Sequence, residues 1–303
     1  MNEDNKVERE IFINLMTDFG FKRLFGSVEF KPILIRFLNI LFENEGLFVN
    51  DVEFHDKEVL PPDPDGKRIV YDVYCTSVRE GKKDHFVVEM QQVYHVNFEK
   101  RVMFYIARAL AMQGKKGDTY DFEPVYGIFL TNFNFKHLHK KLLQDFRMME
   151  TDTHQVFSNI LRLMIVSLEE VKESYDDCTT KLEKITYIIK NMHKMDKESK
   201  AYLSGEFDEF FEASDLGHMA AEDIVTYGES KRKLKDLQLS LDWAIKEGLA
   251  QGLEQGLEQG LEKGRAEERA VGIRIMYEMG VPVKVIAEKY GMPESSVLKT
   301  LKL

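Results

Sequence analysis

The stretch His85–Gln92, HFVVEMQQ, decides how the middle of this chain folds. It begins with apolar residues that favour β-structure and ends with an acid and an amide two positions apart. Because side chains alternate between the two faces of a strand, we expect Glu89 and Gln91 to project to the same side. Val88 and Met90 then point to the other side. A strand with this pattern presents its acid and its amide together.

A second strand is predicted just before this one. Residues 69–76, IVYDVYCT, are β-branched and aromatic, and they follow a loop and turn predicted at residues 61–66. A polar segment with Gly81 separates them from HFVVEMQQ, and two strands joined in this way most simply form an antiparallel hairpin. Asp72 stands among the apolar residues of the first strand. A charge in a buried strand is costly unless it is paired or binds a cation.

The two acids of this hairpin, Asp72 and Glu89, suggest a metal site. On adjacent strands they repel each other unless a positive charge lies between them. Mg²⁺ and Mn²⁺ are the natural candidates, since hard divalent ions take carboxylate, carbonyl and water oxygens. The alternative is that both acids lie at strand ends and face water, as an arbitrary Asp and Glu pair usually does.

Composition limits the class of protein. The chain has 303 residues, 44% of them hydrophobic, which is enough for one large domain with appendages or for two domains. No apolar run approaches the roughly 18 residues that cross a bilayer, and the acidic start lacks the pattern of a signal peptide. Cys75 and Cys178 are too few and too far apart for a zinc knuckle or a disulfide framework. We therefore expect a cytoplasmic protein without a membrane partner.

The net charge of -10 argues against a protein that coats nucleic acid, because non-specific affinity comes mainly from Lys and Arg that neutralise phosphates. A metal-dependent nuclease remains compatible with this charge. Its centre needs clustered carboxylates, and a local basic rim can accompany a negative total.

Further elements are predicted on both sides of the hairpin, in the order helix, strand, strand, helix, strand, strand. The spacing of apolar residues predicts helices over 31–43 and 97–113, a strand at 124–133, and either a strand or a helix at 160–171. We predict a mixed sheet flanked by helices, an α/β domain over residues 1–172. Residues 173–238 read as a polar helical region.

These segments, taken in order, resemble the PD-(D/E)xK nuclease superfamily, in particular its recombination-promoting nuclease branch, also described as PD-(D/E)xK family transposases. The similarity covers roughly residues 15–172, and a glycine-repeat tail is also typical of the branch. It implies a restriction-endonuclease-like fold followed by a helical C-terminal extension. The matching segments are TDFGFKRLFG (17–26), LIRFLNILFE (34–43), DGKRIVYDVYC (65–75), VVEMQQ (87–92), NFEKRVMFYIARAL (97–110) and EPVYGIFLTNF (123–133).

The resemblance assigns roles within the hairpin. It implies that Asp72 and Glu89 bind Mg²⁺ or Mn²⁺, with the main-chain carbonyl of Met90 as an additional ligand. Gln91 stands where the superfamily usually has Lys. A Lys there helps to activate water and to stabilise charge on the phosphate, whereas Gln carries no charge and can only orient by hydrogen bonds.

Four other residues of the matched segments are candidates for phosphate or supporting contacts. By position, Asp18 is a supporting acid and Lys22 a phosphate contact, but we favour a helix cap for Asp18 and a solvated lysine for Lys22. Arg101 and Tyr105, one helical turn apart, either reach the phosphate backbone or pack beside the sheet. The sequence does not decide between these two roles.

The implied function is a metal-dependent DNA endonuclease that hydrolyses phosphodiester bonds by in-line attack of a metal-bound water and promotes recombination. The alternative is a catalytically weak DNA-binding or interaction protein. In that case Gln91, in place of the usual Lys, leaves a degenerate nuclease fold with little activity, and the tail serves in assembly.

The segment 239–268 contains a repeat, EGLAQGLEQGLEQGLEKG, with Gly every four residues from Gly248 to Gly264 and a Leu after each of the first four. If the segment is helical, each Gly costs about 1 kcal/mol relative to Ala. Two interpretations fit: a solvated connecting helix, or a helix that pairs with its copy in a homodimer, because Gly lets backbones approach.

Residues 269–303 have helix-turn-helix character. Ile286 and Ala287 belong to a first helix, Gly291 to the turn, and Pro293 opens a second helix. That second helix offers only Lys299 and Lys302 as bases, with an acid near its start, so its phosphate affinity is expected to be weak. We predict a small helical cap or a partner-binding element.

Two further patterns receive no functional role. His137 and His139 have the spacing of two metal ligands on a strand, but we expect a helix to begin there and the histidines to be solvated. The methionines Met148, Met149 and Met164 are predicted to fill the core.

Overall fold

A computed structural model of the chain describes residues 10–59, 67–79, 81–114, 117, 119–203, 205 and 207–303. The loop and turn predicted at residues 61–66 lie outside these residues. The chain divides into two compact units, which we call the sheet unit, up to Lys233, and the tail unit, Leu234–Leu303.

A mixed six-stranded sheet forms the centre of the sheet unit. The strands are β1 (Glu53–Phe54), β2 (Glu58–Val59), β3 (Ile69–Val70), β4 (Val73–Arg79), β5 (Lys82–Gln91), β6 (Val125–Thr131), β7 (Leu143–Met149) and β8 (Val156–Ser167). The large sheet has the order β1-β4-β5-β6-β8-β7, while β2 and β3 form a separate pair. β5 and β6 are parallel, as are β6 and β8. The other neighbours are antiparallel.

The helices of the sheet unit are α1 (Asp18–Gly26), α2 (Lys31–Leu41), α3 (Phe98–Ala111), α4 (Lys181–Asn191), α5 (Lys197–Leu203), α6 (Asp208–Ser214) and the start of α7 (Ala221–Glu278). Short 3₁₀ turns lie at Glu43–Glu45, Leu168–Glu170, Tyr175–Asp177, Met192–Lys194 and Leu216–His218. The predicted mixed sheet with flanking helices is confirmed, as are the helices predicted at 31–43 and 97–113.

The predicted hairpin is confirmed, but its first strand is interrupted. β4 and β5 pair antiparallel, and Gly81 adopts a φ of +80° in the turn between them. β3 ends at Val70, and Asp72 lies in a bend before β4. At this interruption the N–H of Tyr71 donates at 2.8 Å to the carbonyl of Lys57, in an earlier segment of the chain, instead of to β5.

β5 divides two hydrophobic cores, since its successive side chains enter opposite faces of the sheet. Phe86 and Val88 pack in one core with Phe37 of α2, which we call the α2 core. Val87 packs in the other with Ile106 of α3, which we call the α3 core. The strand is therefore fixed on both sides by fully buried residues.

The segment after residue 172 was predicted to be polar throughout, and this is wrong for its buried faces. α4 contributes Ile185, Ile188 and Ile189 to the α2 core, and Phe207, Phe210 and Phe211 lie there at the start of α6. These apolar residues are separated by charged ones at helical spacing, so the average polarity of the segment hides an amphipathic pattern. The helical region thus completes the core beside the sheet.

The other sequence predictions in this unit have mixed outcomes. The segment 160–171, for which a strand and a helix were both open, is a strand up to Ser167, where β8 ends. β7 was not predicted. Met148 and Met149 are exposed on β7, contrary to prediction, because β7 is the edge strand of the sheet; Met164 is buried as predicted. His137 and His139 lie in a turn and the loop after it, and no helix begins there. Among the described residues, no helix has both the length and the hydropathy to cross a membrane.

The tail unit begins within α7, which continues through the glycine repeat. Its other helices are α8 (Val283–Tyr290) and α9 (Glu294–Leu301). The predicted helix-turn-helix is confirmed: Ile286 and Val297 are fully buried against Ile273 of α7, and Gly291 ends α8 with a φ of +61°. The domain boundaries predicted at residues 172, 238 and 268 remain predictions.

Candidate active site

Asp72 and Glu89 meet where the β4–β5 ladder begins. The first pair of that ladder joins Val73 to Val88, so the same register places Asp72 opposite Glu89. The bend at Asp72 leaves its N–H outside the ladder, and this N–H donates to Glu89 Oε1 at 3.0 Å. In return, the N–H of Met90 donates to Asp72 Oδ2 at 3.1 Å. Each carboxylate is therefore held by the main chain of the opposite strand, on one side of the hairpin.

Gln91 supports Glu89 directly. Its Nε2 donates to Glu89 Oε2 at 3.0 Å, which confirms that the two side chains share a face of β5. Glu89 is 2% exposed and Gln91 9%. A buried carboxylate with both oxygens engaged has a fixed orientation, so Gln91 acts on the position of the acid.

Ionising both acids of this pair is electrostatically unfavourable. Burial, followed by the nearby charge of Asp72, raises the pKa of Glu89 to about 8. Burial also raises the pKa of Asp72, against the opposing effects of the Met90 N–H and of Lys22. Two adjacent carboxylates in such surroundings ionise together only at a cost, which a bound cation would offset.

Lys22 lies at this site, contrary to the prediction of a solvated lysine. Its Nζ is 3.6 Å from Asp72 Oδ1 and 2.5 Å from Asp18 Oδ1, and its side chain is 33% exposed. The reason is long-range packing, since α1 crosses the end of the hairpin and is in contact with β4.

The predicted cap at Asp18 is also wrong. The residue that caps α1 is Thr17, whose hydroxyl oxygen accepts the N–H of Gly20 at 3.0 Å. Thr is among the residues favoured at this position, so the sequence carried this signal. Asp18 is the first helical residue, and its 67% exposed carboxylate pairs with Lys22 one turn later.

Arg101 and Tyr105 have different environments. Arg101 lines the cavity beside the acids, and its charge opposes the rise of the Glu89 pKa that burial causes. Tyr105 is buried in the α3 core, with its ring 5.6 Å from that of Tyr71 in an edge-on contact. Arg101 therefore joins the site, while Tyr105 packs beside the sheet.

A cavity of about 160 Å³ adjoins the acids. It is bounded by α1, the end of β3, the end of β5 and the first turn of α3. Its lining comprises Met16, Asp18, Phe21, Val70, Asp72, Glu89, Met90, Gln91, Gln92 and Arg101. The acids thus face a small, partly open space that has both positive and negative side chains at its wall.

The donor set suits a hard divalent cation. Asp72 and Glu89 offer carboxylate oxygens, and Mg²⁺ is commonly bound through one or two carboxylates while it keeps several waters. No cluster of three or more His, Cys, Asp or Glu side chains with metal-site geometry occurs in the part of the chain that the structure describes. The carbonyl of Met90 as a ligand remains a prediction.

Sequence reasoning missed Lys57 and Gln92. A Cβ added to Gly26 would lie 3.0 Å from Lys57 Nζ and 3.7 Å from the main-chain oxygen of Asp72, so this lysine reaches the same corner. Gln92 Nε2 donates to the carbonyl of Met16 at 2.6 Å and ties the end of β5 to the segment before α1. Lys57 belongs to no periodic pattern in the sequence. The only signal for Gln92 was its place as a polar residue at the end of the predicted strand.

Comparison with known proteins gives one match. No curated protein and no solved structure matches the chain. A family model described as PD-(D/E)XK nuclease family transposase matches residues 15–244, which is more than half of the chain and includes every residue of the site. The fold agrees with this match, since a mixed sheet with flanking helices is restriction-endonuclease-like. The chain therefore belongs to the PD-(D/E)XK nuclease family transposases.

Proposed function

We propose that this protein is a metal-dependent DNA endonuclease that hydrolyses phosphodiester bonds and promotes recombination. The observation that carries the proposal is the reciprocal hydrogen bonding of Asp72 and Glu89, which holds the buried Glu89 carboxylate and the half-buried Asp72 carboxylate side by side beside a cavity. Membership of a nuclease family supports DNA as the substrate.

Mg²⁺ or Mn²⁺ is the proposed cofactor, held by Asp72 and Glu89. Such an ion, when bound, lowers the pKa of a coordinated water and polarises a phosphoryl oxygen. The chain supplies the arrangement around it. Gln91 fixes the Glu89 carboxylate, and Arg101 offers a cation at the cavity wall for a phosphate oxygen.

Plasmid cleavage tests this proposal. The purified protein is expected to nick or cut supercoiled DNA with Mg²⁺ or Mn²⁺, and the near-isosteric changes Asp72→Asn and Glu89→Gln are expected to remove cleavage without loss of the fold. Asp152→Asn, an exposed acid away from the site, serves as the matched control and should cleave like the wild type. Cleavage that survives in both site variants would contradict the proposal.

One observation favours the alternative, a weakly catalytic DNA-binding or interaction protein. Gln91 carries no charge, and its amide is already engaged with Glu89. Titration calorimetry with Mn²⁺ separates the two functions. If the affinity for Mn²⁺ is the same in the wild type and in the variants Asp72→Asn and Glu89→Gln, the alternative is favoured.

We also propose that the repeat in α7 pairs two copies of the chain. Leu249, Leu253, Leu257 and Leu261 are all more than half exposed, at 74, 74, 64 and 53%. A Cβ added to any Gly from Gly248 to Gly264 would have no neighbour within 4 Å. The helix thus has a ridge of leucines beside a groove of glycines, and both rows have a spacing of four residues.

The register makes this surface complementary to itself. In an antiparallel pair with its two-fold axis between residues 256 and 257, Leu257 faces Gly256 of the copy and Leu253 faces Gly260. The same register places Glu254, Glu258 and Glu262 opposite Gln259, Gln255 and Gln251 of the copy. Rows spaced by four residues pack ridge into groove at a crossing angle of about -50°, and Gly lets the backbones approach.

Light scattering of the full chain tests the pairing. Leu253→Glu combined with Leu257→Glu is expected to shift a dimer to monomer, because both charges would lie at the centre of the contact. Leu239→Glu, at an exposed position of α7 before the repeat, is the matched control and should leave the mass unchanged. A wild-type monomer at high concentration, or a dimer that both variants retain, would contradict the pairing.

A further inference from the structure

The end of β5 lacks a positive charge where the proposed reaction needs one. Hydrolysis of a phosphodiester develops negative charge on the phosphate and leaving oxygens, and fixed cations at these oxygens stabilise it. Gln91 is neutral, and its Nε2 is already used by Glu89 Oε2 at 3.0 Å. The side chains that carry positive charge near the acids come from other elements of the sheet unit.

Lys22 of α1 brings an ammonium group to the acid pair. Its Nζ lies 3.6 Å from Asp72 Oδ1, which is a different oxygen from the one that accepts the Met90 N–H. The contact is thus to the carboxylate oxygen that the hairpin leaves open. Asp18, at 2.5 Å, holds the same ammonium at the edge of the site.

The position of Lys22 is fixed by the packing of α1. Thr17 caps the helix, and a Cβ added to Gly20 would lie 2.3 Å from the carbonyl oxygen of Asn14, so only glycine fits where the helix meets the preceding segment. Phe21 and Phe25 are both buried in the α2 core. The packing of α1 therefore fixes the backbone of Lys22 beside Asp72, and the side chain from there is 33% exposed.

Two other cations near the acids are placed differently. The Arg101 guanidinium lies 5.2 Å over the ring of Tyr105, which orients it along α3. Lys57 Nζ lies beside Gly26, close to the main chain of Asp72, and the contact with the Asp72 carboxylate is made by Lys22. Lys82, an exposed lysine at the turn end of β5, lies away from both acids and serves as the control for Lys22.

We propose that Lys22 is a catalytic residue of the proposed nuclease, whose ammonium contacts the phosphate beside Asp72 and stabilises its charge during cleavage. The inference rests on the proposed function. A purely structural lysine, which only neutralises the carboxylates, would instead affect the fold or the binding of the metal.

Steady-state cleavage of a DNA duplex with Mn²⁺ tests the assignment, with calorimetry of Mn²⁺ binding beside it. Lys22→Met is expected to lower kcat by about 100-fold or more, as loss of one stabilising group does, while the affinity for Mn²⁺ is kept. Lys82→Met should stay within about threefold of the wild type, the scale of an exposed surface change.

Charge restoration distinguishes a catalytic role from a structural one. Gln91→Lys places an ammonium beside the same acids, so it is expected to recover at least about tenfold of the activity of Lys22→Met, and Lys22→Arg is expected to retain activity in part. Melting curves of all variants verify folding.

The outcomes separate the two proposals. A wild type without cleavage refutes the proposed function and this inference with it. If the wild type is active, four results refute the role of Lys22 alone: an active Lys22→Met, an equal loss in Lys82→Met, loss of Mn²⁺ binding in Lys22→Met, or no recovery by either restored charge.

Discussion

The β4–β5 hairpin buries a charged side chain, whereas the repeat of α7 exposes a row of apolar side chains. In the hairpin Glu89 is 2% exposed, with hydrogen bonds to both carboxylate oxygens. In the repeat Leu249 and Leu253 are 74% exposed, and the glycines beside them have open space. A buried acid indicates chemistry, because its burial is costly unless a ligand uses it, whereas an exposed apolar row indicates association.

The contrast predicts very different costs for removing an aromatic ring from each region. Phe86 of β5 is fully buried and stacks on Tyr126 at 5.2 Å, so Phe86→Ala should lower the free energy of unfolding by about 3–5 kcal/mol. Trp243 of α7 is exposed, so Trp243→Ala should change it by less than about 0.5 kcal/mol. Urea unfolding followed by circular dichroism measures both, and equal costs would erase the contrast.

The acids of the two regions should differ in how stability depends on pH. Folding raises the pKa of Glu89 from its ordinary value of 4.5 to about 8, so the folded state favours the protonated form. In metal-free protein this contribution is complete below about pH 4.5 and is lost as the pH rises through about 8. Glu89→Gln should therefore gain stability relative to the wild type, by several kcal/mol, as the pH rises from 5 to 9.

Thermal unfolding in a chelating buffer at several pH values measures this effect. Glu258→Gln, at an exposed position of the repeat, is the control and should follow the wild type throughout. A wild type whose stability does not fall between pH 5 and 9 relative to Glu89→Gln would show that Glu89 is not strained by its surroundings.

Substitution of a glycine by alanine is expected to give the smallest difference in stability between the two regions. A Cβ added to Gly127 of β6 would lie 2.3 Å from Cγ2 of Ile106, a branched side chain with little freedom, so Gly127→Ala should cost about 1–3 kcal/mol. Gly248→Ala meets nothing within 4 Å and should stabilise the helix by about 1 kcal/mol. Differential scanning calorimetry resolves the opposite signs, and a loss of stability in both variants would refute the open environment of the repeat.

The sequence predicted the elements whose pattern is local. Alternation along HFVVEMQQ correctly placed Glu89 and Gln91 on one face, and the predicted hairpin brought Asp72 and Glu89 onto neighbouring segments. Helical spacing identified α2 and α3, and glycine and proline marked the turn between α8 and α9. In each of these cases the information lies within about a dozen neighbouring residues.

The missed features depend on contacts between distant segments. The bend that frees the Asp72 N–H requires the bond from Tyr71 to Lys57, and the place of Lys22 depends on how α1 packs on the end of the hairpin. The burial of Phe210 and Phe211 was hidden by the acidic residues around them. A periodic pattern shows which side of an element is buried, but it does not show which partner meets that side.

The central claim is that Asp72 and Glu89 bind one divalent cation, and the most direct test is crystallography of the protein soaked in Mn²⁺, with anomalous diffraction to locate the metal. A peak is expected in contact with carboxylate oxygens of both acids, and it should be absent from crystals of Glu89→Gln. A well-occupied peak elsewhere with none at this pair, or a peak at the pair that Glu89→Gln leaves unchanged, would contradict the claim.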